Sequence, residues 1–128
     1  MKTLSLILAL LVSLALGVFA ADKPTGSKKL LHVVAFKFKP DAKPEQIDAV
    51  VSAFRDLKKK IPVIKEFSWG TNVSAEKHDK GFTHCFTLSF ASEKDRDNYI
   101  AHPDHKAFGK GLGPILEDVF VLDYWAQD

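Results

Sequence analysis

Apolar residues recur along the chain with two distinct periods. From Leu30 to Lys39, His32, Val34, Phe36 and Phe38 alternate with Leu31, Val33, Ala35 and Lys37. A period of two among β-branched and aromatic residues predicts a strand, here with one strongly apolar face. Pro40 breaks it. Pro44 suits the first turn of a helix, where a missing N–H has no helical partner to lose. Ile47, Val50, Val51, Phe54 and Leu57 then follow helical spacing and lay one stripe on a sheet. Lys58, Lys59 and Lys60 sit where the helix end favours cations, and Pro62 prevents continuation.

The second half repeats the alternation of periods. Val63 to Val73 predicts a second strand, with Trp69-Gly70 marking a bulge, and Ser74 to Gly81, which includes His78, is a polar loop. Phe82 to Phe90 predicts a third strand with Phe82, His84, Phe86, Leu88 and Phe90 on one face and Cys85 on the other. Ser92-Glu93-Lys94-Asp95 resembles a capping box and opens a helix containing Tyr99 and Ile100. His102-Pro103-Asp104-His105 interrupts it. A short helical stretch runs on through Phe108, Gly109 to Pro114 form a loop, and Val119 to Trp125 is the last strand. The order β-α-β-β-α-β predicts an α+β, ferredoxin-like plan: a four-stranded antiparallel sheet with both helices on one face. The first and last strands are apolar on both faces, so a second copy of the sheet is expected to cover the open side. The product would be a homodimeric α+β barrel.

Residues 1–20 stand apart. Lys2 precedes an almost wholly apolar run from Leu4 to Leu16, and Val18-Phe19-Ala20 ends in a small residue at a plausible cleavage point. This is the pattern of a secretory signal peptide, followed by a flexible lead-in over 21–28 and one domain over 29–126. It predicts a secreted or periplasmic protein with no membrane segment after cleavage, since the apolar run is short for a bilayer span. The 128 residues allow one such domain, and 18 basic against 16 acidic residues, interspersed, exclude an electrostatic nucleic-acid binder. A single cysteine, Cys85, excludes an internal disulfide and leaves stability to packing or oligomerisation.

Candidate chemistry gathers on histidines. His32 and His84 fall on the apolar faces of strands one and three, which are neighbours in this plan. Tyr99, His102 and His105 repeat at a spacing of three and share a face if the helix is continuous there. An imidazole accepts a proton near neutral pH and a phenol donates a hydrogen bond to a carbonyl oxygen, a pair suited to proton abstraction beside a carbonyl. The plainer alternative is that His102-Pro103 ends the helix and Tyr99 is a packed ring. Histidine is also a metal ligand, but the spacing matches no closed zinc motif. A phosphate-binding glycine loop, a nucleophile elbow and an H-E-x-x-H helix are absent from the sequence. Asp104 suits a capping role.

Several segments together carry a family likeness. Leu31 to Lys39, Ile61-Pro62, Trp69-Gly70, Gly81-Phe82-Thr83-His84, Tyr99 to Phe108 and Asp123-Tyr124 resemble, in order and spacing, the stress-responsive A/B barrel (Dabb) domain. The likeness covers about Lys29 to Tyr124. It implies a ferredoxin-like barrel that dimerises through its sheets. The family includes a plant polyketide cyclase that performs an intramolecular aldol condensation without a redox cofactor. By that resemblance His105 is the base and Tyr99 orients or polarises the substrate carbonyl, without a redox cofactor. The side chains predict no metal or other cofactor, and the magnesium ion that some plant members hold on backbone carbonyls would fall around Lys58 to Ile64. The implied ligand-binding residues are His32, Val34, Phe36, Phe54, His84, Phe86, His102 and Phe108. Phe36 and Phe86 replace smaller aliphatic residues of the cyclase and Phe54 replaces a tyrosine, so inward rings would fill part of its acyl cavity. The expected function is binding of a small apolar carbonyl or aromatic compound, with aldol- or cyclase-like acid/base chemistry upon it. The alternative is a stress-response or ligand-binding barrel without turnover.

Overall fold

The computed structural model describes residues 28–127; the predicted signal peptide and all but the last residue of the predicted lead-in lie outside them. Along the chain come β1 (Leu30–Phe38), α1 (Pro44–Lys60), β2 (Glu66–Thr71), β3 (His84–Phe90), α2 (Glu93–Ala101), α3 (Pro103–Leu112), a 3-10 turn (Gly113–Ile115) and β4 (Leu116–Trp125). The four strands form one antiparallel sheet in the order β2-β3-β1-β4. This is the expected ferredoxin-like plan, with the second helical segment divided in two.

Local chemistry explains the elements. Pro44 opens α1, and the Gln46 side-chain oxygen accepts the Lys43 backbone N–H at 2.9 Å. Val50, Val51, Phe54 and Leu57 are its buried stripe. They meet the inward residues of β1 (Leu30, Val34, Phe36) and of β3 (Phe86, Leu88, Phe90) in one core, which Ile61, Ile64 and Tyr99 complete. Burying each large apolar side chain here stabilises the fold by roughly 1.5–3 kcal/mol relative to leaving it in water. Ser92 caps α2 by accepting the Asp95 backbone N–H at 3.1 Å.

Four sequence expectations require correction. The second strand is shorter than predicted, because Ile61 and Ile64 turn inward into the core and Ile64 N–H bonds back to Ile61 at 3.1 Å. Trp69-Gly70 forms no bulge; β2 and β3 pair in unbroken register, and the one register shift falls between Lys37 and Phe38 on the β1–β4 side. Phe82 is not on the inward face of β3. It lies in the turn before that strand and packs edge-on against Phe120, whose side chain belongs to the open face. Gly109 and Gly111 lie inside α3 rather than in a loop, since Pro103 starts a fresh helix that the apolar residues Phe108 and Leu112 anchor to the core.

The sheet face opposite the helices carries Leu31, Val33, Ala35, Cys85, Thr87, Phe120, Leu122 and Tyr124. Phe120 and Leu122 are about half exposed within the protomer, at 51% and 52%. A contiguous apolar surface of this kind marks an interaction face.

One turn depends on a single residue. Gly81 has φ +87, and a Cβ there would come within 2.7 Å of the Lys37 side chain. Its N–H bonds to Asp79 Oδ2 at 2.9 Å, which fixes the chain entering β3. Gly81→Ala is expected to lower stability by about 1–2 kcal/mol, read as a lower urea midpoint at unchanged slope.

Candidate functional site

Antiparallel pairing of β1 with β4 places His32 opposite Asp123, Val34 opposite Val121 and Phe36 opposite Val119, all on the helix side. Above them pass α2 and α3. The space between is a cavity of about 300 Å³ lined by His32, Val34, Phe36, Val119 and Val121 below, and by Tyr99, Ile100, His105, Phe108, Gly109 and Leu112 above, with Phe54 at its inner end. Val119 and Val121 are half exposed, so the cavity opens along the β4 edge.

The break between α2 and α3 aims the polar groups. His102 has extended backbone (φ -64, ψ 137) and its Nδ1 accepts the Asp104 backbone N–H at 3.1 Å, capping α3. Histidine thus does the capping expected of Asp104. The turn carries His105 back under the last residues of α2, where its Nδ1–H donates to the Ile100 carbonyl at 3.0 Å. A carbonyl only accepts, so this bond fixes the tautomer and leaves Nε2 with its lone pair. The His105 ring lies 4.5 Å from that of Tyr99, centroid to centroid.

His32 has the same arrangement from the opposite wall. Its Nδ1–H donates to Asp123 Oδ1 at 2.6 Å, and Arg96 Nη1 donates to the other carboxylate oxygen at 3.1 Å. Arg96 is itself held by Asp97 through Nε and Nη2. The His32 ring meets the Tyr99 ring edge-on at 5.7 Å. Tyr99 therefore lies between two imidazoles, each tied at Nδ1. Its hydroxyl makes no hydrogen bond among the described residues, where every fully buried side-chain polar atom has a partner, so that hydroxyl is reached from the cavity.

Burial sets the electrostatics. Removing charge from water is costly, so desolvation raises the Tyr99 phenol well above its ordinary value of 10.0, with the nearby Asp123 charge adding to the shift. It lowers His105 below 6.5, partly offset by the bond to Ile100 and reinforced by His32 and His102. Both groups are neutral near pH 7: one a fixed donor, the other a fixed acceptor.

The cavity gathers seven of the residues expected from sequence: His32, Val34, Phe36, Phe54, Tyr99, His105 and Phe108. Three fall elsewhere. His84, at the far end of β3, stacks parallel to Trp69 at 6.2 Å and edge-on to Phe38, bordering a separate recess; burial lowers its pKa, opposed by Asp48. His102 is spent on the α3 cap. Phe86 lies wholly buried behind Phe36 and Phe54, with ring centroids 5.0 and 4.6 Å away. Phe36 and Phe54 wall the inner end of the cavity, and Phe86 packs behind them. Among the described residues no group of three His, Cys, Asp or Glu side chains converges as a metal site.

Sequence reasoning gave no role to Arg96 or Asp123, or to the walls Val119 and Val121. The available signal was Asp123 itself, a carboxylate in the inward alternation of Val119, Val121 and Trp125. Asp123→Ala would strand the His32 Nδ1–H and one arm of Arg96. It is expected to cost about 2–3 kcal/mol in urea unfolding, with Asp123→Asn costing less because one acceptor remains.

The comparisons agree with this architecture. The description "Stress responsive A/B Barrel Domain" matches residues 30–126. The stress-response A/B barrel domain-containing protein HS1 of Arabidopsis thaliana is 37% identical over 93 residues, covering 73% of this chain and 85% of that protein. Olivetolic acid cyclase of Cannabis sativa is 29% identical over 93 residues, covering 73% of this chain and 92% of the cyclase. Among solved structures, a hydroxynitrile lyase from Passiflora edulis is similar with a TM-score of 0.75 and 29% identity, covering 80% of this chain and 96% of the lyase. A dimeric ferredoxin-like protein from Bacteroides fragilis has a TM-score of 0.63 and 27% identity, covering 77% of this chain and 96% of that one. The sheet order, the Tyr99–His105 segment and the match over nearly all described residues lead to one conclusion: the chain belongs to the stress-responsive A/B barrel domain family.

Proposed function

We propose that this protein is an exported homodimer that binds a small apolar carbonyl or aromatic compound between α2–α3 and β1–β4 and performs acid/base chemistry on it. The observation that carries this reading is the hydroxyl of the buried Tyr99 ring. It has no hydrogen-bond partner among the described residues and faces the same apolar cavity as an imidazole whose Nδ1 is occupied. The Tyr99 O–H donates to the substrate carbonyl oxygen, which makes the adjacent C–H more acidic. His105 Nε2 takes that proton, and the Ile100 carbonyl holds the Nδ1–H of the resulting imidazolium. The electron pair moves onto the carbonyl oxygen, where the phenol stabilises it as an enolate. The enolate carbon then attacks a second carbonyl carbon, whose π electrons move onto its oxygen and take the proton back from His105, or the enolate carbon itself recovers that proton. Relatives named as a cyclase and as a hydroxynitrile lyase support a site of this class.

The second reading, a ligand-binding barrel without turnover, is favoured by the aromatic packing of Phe36, Phe54, Phe86 and Phe108 that narrows the cavity. Exchange of α-hydrogens separates the two. With acetophenone in D2O, followed by proton NMR, the native protein is expected to accelerate exchange of the methyl protons. His105→Ala should lower the rate by roughly 10²–10⁴-fold with folding intact, and Tyr99→Phe should also lower it. Binding without exchange would establish the second reading. The base acts when deprotonated. Because burial lowers His105, the acid limb of the pH profile should fall below the ordinary histidine value of 6.5; the alkaline limb should lie above 10.0, where Tyr99 still keeps its proton.

Export is supported by the pattern of Lys2, Leu4 to Leu16 and Ala20. Pairing of two copies is supported by the exposed Phe120, Leu122 and Tyr124 and by the dimeric Bacteroides fragilis structure. Light scattering should give twice the protomer mass for the native chain and one protomer mass for Phe120→Lys.

A further inference from the structure

Two hollows meet along α3. The cavity beside Tyr99 takes residues 105, 108, 109 and 112 from this helix, one face at helical spacing. A larger groove of about 560 Å³ between α1 and α3 takes 104, 107, 108, 111 and 112, the adjoining face. Phe108 and Leu112 border both. On the α1 side the groove is walled by the small or apolar Ala49, Val50, Ala53 and Leu57, together with the polar Gln46 and Lys60.

Gly109, which lines the cavity, and Gly111, which lines the groove, add no side chain between the two, and a Cβ at either would meet nothing within 4 Å. Phe108 and Leu112 are the residues common to both linings. The Phe108 ring is held in place by stacking on Phe54 at 4.6 Å and on Phe36 at 6.4 Å. It also follows His105 by three residues on the same helical face, so a ligand with its carbonyl at Tyr99 and His105 directs its next atoms at this ring.

We propose that Phe108 is a specificity-determining residue: its ring closes the cavity against the α1–α3 groove and restricts the site to short carbonyl compounds. This rests on the reading of the cavity as a carbonyl site. Removing the ring joins the two spaces and lets an alkyl tail run from Tyr99 towards Ala53. The groove is then the tail's path, and the head keeps its contacts with Tyr99 and His105.

Equilibrium binding of acetophenone and of hexanophenone, which adds a linear alkyl chain to the same carbonyl head, tests this. The native protein should prefer acetophenone. Phe108→Ala should shift the ratio of the two affinities towards hexanophenone by at least about tenfold, as burial of several methylenes requires. Adding Ala53→Leu, which fills the groove from an exposed position on α1, should abolish that gain. An unchanged ratio in Phe108→Ala, or a gain that survives Ala53→Leu, would overturn the proposal. If Phe108→Ala does not fold, Phe108→Val carries the same comparison. Failure of the native protein and both variants to bind acetophenone would instead sink the carbonyl-site reading. The partition is then read without a carbonyl, in crystals of the variant under xenon pressure. Xenon running continuously from Tyr99 to Ala53 supports it, and separate deposits with a closed wall refute it.

Discussion

The register that sets His32 of β1 against Asp123 of β4 is the constraint on which the site depends. A slip of one residue would turn every inward side chain of β4 to the open face. The carboxylate would then leave a buried imidazole N–H without an acceptor, at a cost of about 1–3 kcal/mol. Register is thus specified by polar pairing as well as by the valines around it. The same bond fixes which nitrogen of His32 faces the cavity, so strand pairing and site chemistry have one cause.

The α2–α3 break is the second determinant. A continuous helix through 99, 102 and 105 would have advanced all three side chains along one face and kept His105 more than one turn from Tyr99. Pro103 prevents that by removing a helical donor, and His102 caps the new helix. The chain folds back far enough for His105 to bond the Ile100 carbonyl. A histidine spent on the cap is therefore what places another histidine against the tyrosine.

Much of this was legible in the sequence. Alternation around His32 and the stripe from Ile47 to Leu57 gave β1 and α1 nearly to the residue, because one face of each is buried and the periods differ. The α3 glycines misled, since intrinsic propensity penalises Gly by only about 1 kcal/mol and the packing of Phe108 and Leu112 outweighs it. Trp69-Gly70 misled for a related reason: cross-strand bonds to Phe86 and Cys85 continue the ladder past a residue that needs no special geometry there. The pairing of His32, Tyr99 and His105 lay beyond periodicity. Three elements distant in sequence have to dock before those rings meet; the spacing of three put Tyr99 with two candidate histidines, and only the family resemblance singled out His105 as the base.

The physical state of the cavity follows from one cause acting on two groups with opposite sign. Burial penalises phenolate and imidazolium alike, raising Tyr99 and lowering His105. Proton transfer from the phenol to the imidazole would create both charged forms in a space walled by valine and phenylalanine, so the resting pair stays neutral. Such a pair gives a neutral carbonyl compound a donor and an acceptor without an ion to desolvate. In the proposed reaction charge would develop only as the substrate proton moves, and each product of that transfer would have a contact in place: the Ile100 carbonyl for an imidazolium at Nδ1, and the phenol for an enolate oxygen. The Asp123 carboxylate, shared by His32 and Arg96, ties down the opposite wall. Preorganisation of this kind requires the helix break, the strand register and the buried ring together, which is why the site is distributed over β1, α2, α3 and β4.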